Sequence, residues 1–270
     1  MYIEARSNRS RRGCGPGVLL TLAAAAFFAT GPVAHAEGDD AKAILKSMSD
    51  YVSGQKVIEL RFDSDIEVIT PQLEKIQFTN SGEVLVSRPD KLHAHRVGGY
   101  SDVDLYFDGR TVSVHGRSVN GYAQLAVPGT LDQLFQALRE GHGVALPGAD
   151  YLMSQPYEAL VADVMEAKHI GRGVIDGVEC EHLAFRNFDT DWQLWVEAGA
   201  NPIPRKFVIT SKTIAGAPQY TFRVKSWKTG FEPPAGAFAF SPPAGAQKLD
   251  PNALIHLDEL PPEAPAGGTR

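Results

Sequence analysis

The chain has 270 residues, 43% of them hydrophobic and 21% charged, with a formal net charge of −6. That length allows one sizeable core and a single domain. The acidic balance argues against nucleic acid or an anionic membrane surface as the main partner.

Residues 1–36 read as a cleaved signal peptide. Arg6, Arg9, Arg11 and Arg12 form a basic start, and Val18 to Ala29 is an apolar run too short to span a bilayer comfortably. Ala34-His35-Ala36 supplies a small-x-small cleavage pattern, which makes Glu37 the expected mature N-terminus. The Arg11-Arg12 pair fits a twin-arginine signal poorly, because Gly13, Cys14 and Gly15 follow it. Cys14 precedes the apolar run, so it is not placed as a lipid-modified cysteine. Cleavage removes four arginines and Glu4, taking the net charge from −6 to −9. Of the two cysteines only Cys180 remains, so no intramolecular disulfide is expected and the core alone holds the fold. The mature protein is expected in the periplasm, without a transmembrane segment.

Residues 39–52 have helical spacing, with Ala41, Ile44, Leu45, Met48 and Val52 on one face and Gly54 as the stop. From Val57 to Thr70 the period becomes two: Ile58, Leu60, Phe62, Ile66 and Val68 alternate with Glu59, Arg61, Asp63, Asp65 and Glu67. A second strand is expected through Ile76 and Phe78, a third through Val84 and Val86, and a fourth through Leu92 and Ala94. Arg88-Pro89-Asp90-Lys91 is a turn, and Asp108-Gly109 a two-residue hairpin between 103–107 and 111–115. Gly121 to Val127 is a further strand.

Helices follow. Thr130 with Gln133 suits a capping box, and Leu131, Leu134, Phe135 and Leu138 form the buried stripe. A Gly-rich apolar loop spans 141–154. A second helix opens at Pro156 and is expected to bury Tyr157, Leu160, Val161, Val164 and Met165. Strands resume near His169, with Asp176-Gly177 as another hairpin turn. Three alternating runs come next: Trp192, Leu194 and Val196 against Gln193 and Trp195; Phe207 and Ile209 against Lys206, Val208 and Thr210; Tyr220, Phe222 and Val224 against Thr221, Arg223 and Lys225. Residues 231–246 read as an extended segment anchored by Phe238 and Phe240, and residues 251–270 as a disordered tail.

About ten strands with one apolar face need a cover, and three amphipathic helices are available. The expected fold is α+β: a large curved antiparallel sheet, a half-open unclosed β-barrel, covered by an N-terminal helix and two inserted helices. One domain would span residues 37–250.

Asp176-Gly177-Val178-Glu179-Cys180-Glu181-His182-Leu183-Ala184-Phe185-Arg186, Asp191-Trp192-Gln193-Leu194-Trp195-Val196 and Pro204-Arg205-Lys206-Phe207-Val208-Ile209-Thr210 resemble the predicted-periplasmic domain-of-unknown-function 2092 family of Gram-negative bacteria. So do the Ser87–Leu92 turn and the Pro147–Leu160 loop and helix. That family looks like a distant relative of the LolA/LolB lipoprotein carriers, which fold as an unclosed barrel with a helical lid and bind acyl chains. The resemblance implies the same architecture and an apolar ligand.

Residues with chemical potential are few. His93 and His95 share a strand face but lack a nearby third metal ligand. Cys180 and His182 also share a face, where a packed cysteine is the simpler reading. Asp63 with Asp65 and Asp102 with Asp104 suit a solvated face. No nucleophile elbow, P-loop or dinucleotide fingerprint occurs. The expectation is therefore not an enzyme and no cofactor or metal. The protein would bind a lipid, a lipoprotein acyl chain or another amphiphile in a sheet–helix groove. The expected cavity residues are Leu60, Phe62, Ile76, Phe78, Leu134, Leu138, Leu146 and Leu152, with loop 141–154 as a lid. The alternative is a sensor or interaction module with an envelope protein as partner; a hydrolase or metal enzyme comes third.

Overall fold

The computed structural model describes residues 35–144 and 146–250. The expected signal peptide and the tail 251–270 lie outside the described residues, save that the first helix begins at His35. This helix, α1 (His35–Ser53), buries Ala41, Leu45, Met48 and Val52 completely. The spacing 41, 45, 48, 52 is one helical stripe, and Gly54 donates its N–H to the Asp50 carbonyl at 3.1 Å as the helix ends.

Six strands follow: β1 (Val57–Ile69), β2 (Lys75–Ser87), β3 (Lys91–Gly98), β4 (Asp102–Phe107), β5 (Thr111–Gly116) and β6 (Gly121–Ala126). The helical segment holds α2 (Leu131–Gln136), a π-turn at Ala137–Gly141, a 3-10 turn at Ala149–Leu152 and α3 (Pro156–Val161). Then come β7 (Glu166–Ile175), β8 (Val178–Arg186), β9 (Thr190–Glu197), β10 (Pro204–Ser211), β11 (Gln219–Thr229) and the two-residue β12 (Gln247–Lys248). All twelve described strands form one sheet in the order β12-β6-β5-β4-β3-β2-β1-β11-β10-β9-β8-β7. Every neighbouring pair is antiparallel except β12 with β6. β7 and β12 do not pair with each other, so the sheet is unclosed.

Turn chemistry sets the registers. Asp108 accepts the N–H groups of Arg110 at 2.9 Å and Thr111 at 2.8 Å, and Gly109 has φ +87°. Asp176 and Gly177 both have positive φ, +49° and +82°, which the β7–β8 hairpin requires.

The topology explains the lid. Two antiparallel meanders, β1–β6 and β7–β11, join along β1 and β11. The chain must therefore pass from β6, near one sheet edge, to β7 at the other. Residues 127–165 make that crossing over the apolar face, and α2, the two turns and α3 are the structure they adopt. Leu131, Leu134, Phe135 and Leu138 pack into the common core with Leu60, Leu183, Trp192 and Leu194.

Three expectations are corrected. The strands read separately through Ile76–Phe78 and Val84–Val86 are one strand, because Ser81 and Gly82 stay paired with Asp63 and Phe62. α3 stops at Val161, and Met165 beyond it is 69% exposed rather than buried. The apolar loop is not free of regular structure: it contains the 3-10 turn that buries Ala149, Tyr151 and Leu152.

Candidate ligand-binding site

Alternation along the strands sends one set of side chains to the apolar face. From β1 this set includes Leu60 and Phe62, from β2 Val84, from β3 Leu92 and Ala94, from β4 Val103 and Leu105, and from β5 Val114. On the other side of β1 it includes Val224, Phe222 and Tyr220 of β11 and Phe207 of β10. With Phe135, Leu138, Val144, Leu146, Tyr151 and Leu152 from the crossing segment, they enclose a cavity of about 240 Å³.

The floor at one side is an aromatic stack. Phe222 lies between Phe62 and Phe207, with ring centroids 4.5 Å and 5.0 Å apart and near-parallel planes. Tyr151 of the 3-10 turn leans on Phe207 at 5.3 Å. Gly148, with φ +85°, lets the lid backbone approach that ring: a β-carbon there would lie 3.0 Å from Phe207 Cζ. Burial pushes the Tyr151 phenol far above its ordinary range, and the nearby Asp150 charge adds to this.

The lid is pinned by charged groups. Arg88 Nη1 donates to the carbonyls of Leu152 at 2.5 Å and Met153 at 3.1 Å. Arg139 donates to Asp150 Oδ1 at 2.7 Å and to the Leu146 carbonyl at 3.3 Å. Asp132 of α2 accepts the Ser154 N–H at 2.8 Å and the Ser154 hydroxyl. Burial lowers the Arg88 guanidinium from its ordinary value, and the Asp132 charge opposes that effect.

Of the eight expected cavity residues, Leu60, Phe62, Leu138, Leu146 and Leu152 meet on the wall. Leu134 is fully buried in the common core and is not part of the wall. Ile76 and Phe78 are corrected. They pair with Val68 and Ile66 at the far end of the β1–β2 hairpin, where Ile76 is 43% exposed and Phe78 packs edge-on to Tyr100 at 5.6 Å. Neither residue belongs to the cavity wall.

Sequence reasoning weighs Trp227 as a cavity aromatic but favours ordinary sheet core, and it misses Arg96; both are wall residues. Counting by twos from Val224 puts Trp227 on the outer face. A β-bulge opposite Arg61 and Phe62 inserts Lys225, so Trp227 pairs with Leu60 and joins the inner set. Arg96 has the same parity as Leu92 and Ala94, which was a usable signal hidden by its charge.

The other candidates settle on the outer face. His93 Nε2 lies 3.4 Å from Asp104 Oδ1, and His95 Nε2 lies 2.9 Å from Asp102 Oδ1. Arg117 grips Asp104 with Nε at 2.5 Å and Nη2 at 2.9 Å. Phe240 of the C-terminal segment covers this cluster, 5.6 Å from Tyr106 and 6.1 Å from His115. His182 pairs with Gln193 at 2.9 Å and stacks on Trp195, away from catalytic geometry with Cys180. Among the described residues no cluster of three His, Cys, Asp or Glu side chains has metal-binding geometry. No described helix is long and apolar enough to cross a membrane.

A wide, unclosed antiparallel sheet with a pinned helical lid over an apolar cavity defines the architectural class. The chain belongs to the DUF2092 family of predicted periplasmic proteins, whose family model matches residues 41–250. No curated protein matches it. Among solved structures, it is similar to an uncharacterized conserved protein from Thermus thermophilus, with 11% identity over 78% of this chain and 99% of that one, TM-score 0.45. It is also similar to MucB in the Pseudomonas aeruginosa MucA/MucB complex, at 12% identity over 75% of this chain and 61% of that one, TM-score 0.42. A LolA superfamily protein from Nitrosomonas europaea matches at 12% identity over 74% of this chain and 97% of that one, TM-score 0.37.

Proposed function

We propose that this periplasmic protein binds and carries an apolar or amphiphilic ligand, a lipid or a lipoprotein acyl chain, between sheet and lid. The observation that carries this reading is the cavity of about 240 Å³, walled by aliphatic and aromatic side chains from seven strands, β1 to β5, β10 and β11, and by the crossing segment. Burial of an acyl chain there gains roughly 25 cal/mol per Å² of apolar surface, without a need for many polar contacts. The role is binding rather than catalysis, because the wall offers apolar surface and not a paired nucleophile and base.

Native and denaturing mass spectrometry of the protein purified from the periplasm tests the reading. A co-purifying lipid mass, lost on denaturation, is the expected result. A clean apo mass together with no uptake of added fatty acid or phospholipid would overturn it. A second reading, a protein-interaction module, draws on the edge strand β7. Ile170 and Val174 there are 54% and 67% exposed, and an edge strand offers unpaired backbone to a partner. A stable complex with an envelope protein, the cavity remaining empty, would favour it.

A further inference from the structure

The short strand β12 delivers the chain to the inner face of the sheet. Gln247 and Lys248 pair with Gly121 and Tyr122 of β6, and the Leu249 N–H donates to the Tyr122 carbonyl at 2.7 Å. Tyr122 lies on the outer face, where its ring meets Phe240 at 5.4 Å, and Lys248 shares that side. Leu249 turns the other way and packs against the common core. A β-carbon on Gly121 would lie 2.7 Å from Leu249 Cδ1, so the leucine fills the place of the missing side chain.

Gly121 begins a trough that leads to the cavity. Its register partner on β5 is Gly116, and the partner of Gly116 on β4 is Val103, a residue of the cavity wall. Two neighbouring strands thus present glycine to the inner face, both residues buried. A glycine inside a strand commonly marks the close approach of another backbone or of a ligand. At about 4.8 Å per strand, Val103 lies about 10 Å across the sheet from the β6 edge where Leu249 sits. Val103 and Leu105 of the wall are only half-buried, so apolar surface is left there to cover.

The residues that follow Asp250 are Pro251-Asn252-Ala253-Leu254-Ile255-His256-Leu257-Asp258-Glu259-Leu260. Leu254, Ile255, Leu257 and Leu260 are large aliphatics, whereas residues 261–270 contain no leucine, isoleucine or valine. The five residues from Leu249 to Leu254 can span up to about 17 Å, more than the trough requires. We infer that the chain's own segment 251–260 follows the Gly121–Gly116 trough and lays its aliphatic side chains against Val103 and Leu105, so that a ligand must displace it to fill the cavity. The competition rests on the carrier reading; the docking does not. A tethered occupant is effective because its local concentration is high, of order mM for a short flexible link.

Two measurements on the protein purified from the periplasm test this. His256→Cys is labelled with benzophenone maleimide in native buffer, where Cys180 is fully buried, then irradiated, digested and mapped by mass spectrometry. Crosslinks to β4 and to the inner face of β5 are expected, and saturating dodecanoate should lower their yield. Dodecanoate is also titrated by calorimetry into the parent, stripped of lipid, and into a variant carrying Leu254→Ser, Ile255→Ser and Leu257→Ser. Thermal unfolding checks that both variants fold. A segment docked about nine-tenths of the time weakens apparent affinity about ten-fold, so the serine variant should bind about ten-fold tighter. Crosslinks that miss the cavity wall, or dodecanoate binding that the serine substitutions leave unchanged, would overturn the inference while leaving the carrier reading intact. Crosslinks to the wall with no dodecanoate uptake by either form would remove the carrier reading and leave the segment as the resident occupant of the cavity.

Discussion

The Phe62 ring occupies the space that a side chain at position 82 would fill. A β-carbon on Gly82 would lie 2.5 Å from Phe62 Cζ and 2.5 Å from the His95 carbonyl. Gly82 is therefore not a weak point in a broken strand; it is the seat on which one wall of the aromatic stack rests. Gly82→Ala is expected to destabilise the protein by about 1–3 kcal/mol through overpacking. Urea denaturation measures it. Phe62→Leu in the same chain should restore only part of the loss, because the clash with the His95 carbonyl remains. A Gly82→Ala protein as stable as the parent would contradict the packing described.

The lid's attachment gives a second prediction. Asp132 holds Ser154 by two hydrogen bonds to one carboxylate, at the end of the segment that also carries Leu152. Asp132→Asn keeps the shape but loses the ionised acceptor. Hydrogen bonds to charged groups contribute about 1.5–3 kcal/mol. The amide of Ser154 should then exchange with solvent at least about ten-fold faster, with strands β8 to β10 unaffected. Hydrogen exchange followed by mass spectrometry resolves the two regions. Uniform acceleration across the sheet would show that Asp132 supports the whole fold rather than the lid.

Asp104 makes stability depend on acid pH. Its desolvation favours the neutral form, but hydrogen bonds from His93 and Arg117 and the Arg117 charge outweigh that, and the carboxyl is held down to about 2. A group with a depressed folded-state value stabilises above its unfolded value, near 3.8, and loses that contribution as pH falls through its folded value. The loss therefore falls between about pH 4 and about pH 2 and amounts to about 2 kcal/mol at most. The stability difference between the parent and Asp104→Asn, measured by urea denaturation across that range, should shrink as pH falls. A constant difference would show that the Arg117 contact does not shift this titration.

Much of this fold is legible in alternation alone. Leu60 and Phe62 against Arg61 and Asp63, and Trp192, Leu194 and Val196 against Gln193 and Trp195, have one arrangement that buries the apolar set, and the sheet adopts it. The two-residue hairpin turn at Asp176-Gly177 is legible too, whereas Asp108-Gly109 marks a turn of three residues, 108–110, rather than two. What alternation cannot encode is a change of phase. The bulge that turns Trp227 inward depends on how β11 meets β1, a contact between residues far apart in the chain. Ile76 and Phe78 continue the apolar face of β2, yet whether that face is covered depends on how far the lid reaches, which is a tertiary property. The 3-10 turn at Ala149–Leu152 is short and stabilised by Arg139 and Arg88 from outside it, so no local period announces it.

Cys180 tests whether the edge strand opens. It is fully buried on β8, its register partners are Gly173 of β7 and Glu197 of β9, and its thiol donates to the Val178 carbonyl at 3.5 Å. Burial pushes the thiol above its ordinary value, against the smaller opposing effects of a backbone hydrogen bond and the Arg205 charge. Both the missing access and the scarcity of thiolate slow alkylation. In the form that carries Cys180 as its one cysteine, iodoacetamide is expected to react slowly in native buffer and completely in denaturant. If β7 peels away to admit a partner strand, the native rate should instead be set by that local opening and stay flat at low denaturant, rising only where global unfolding takes over. A native rate that follows denaturant from the first addition, with the slope of global unfolding, would mean that β7 opens only when the whole sheet does. The carrier reading would then stand without an edge-strand interface beside it.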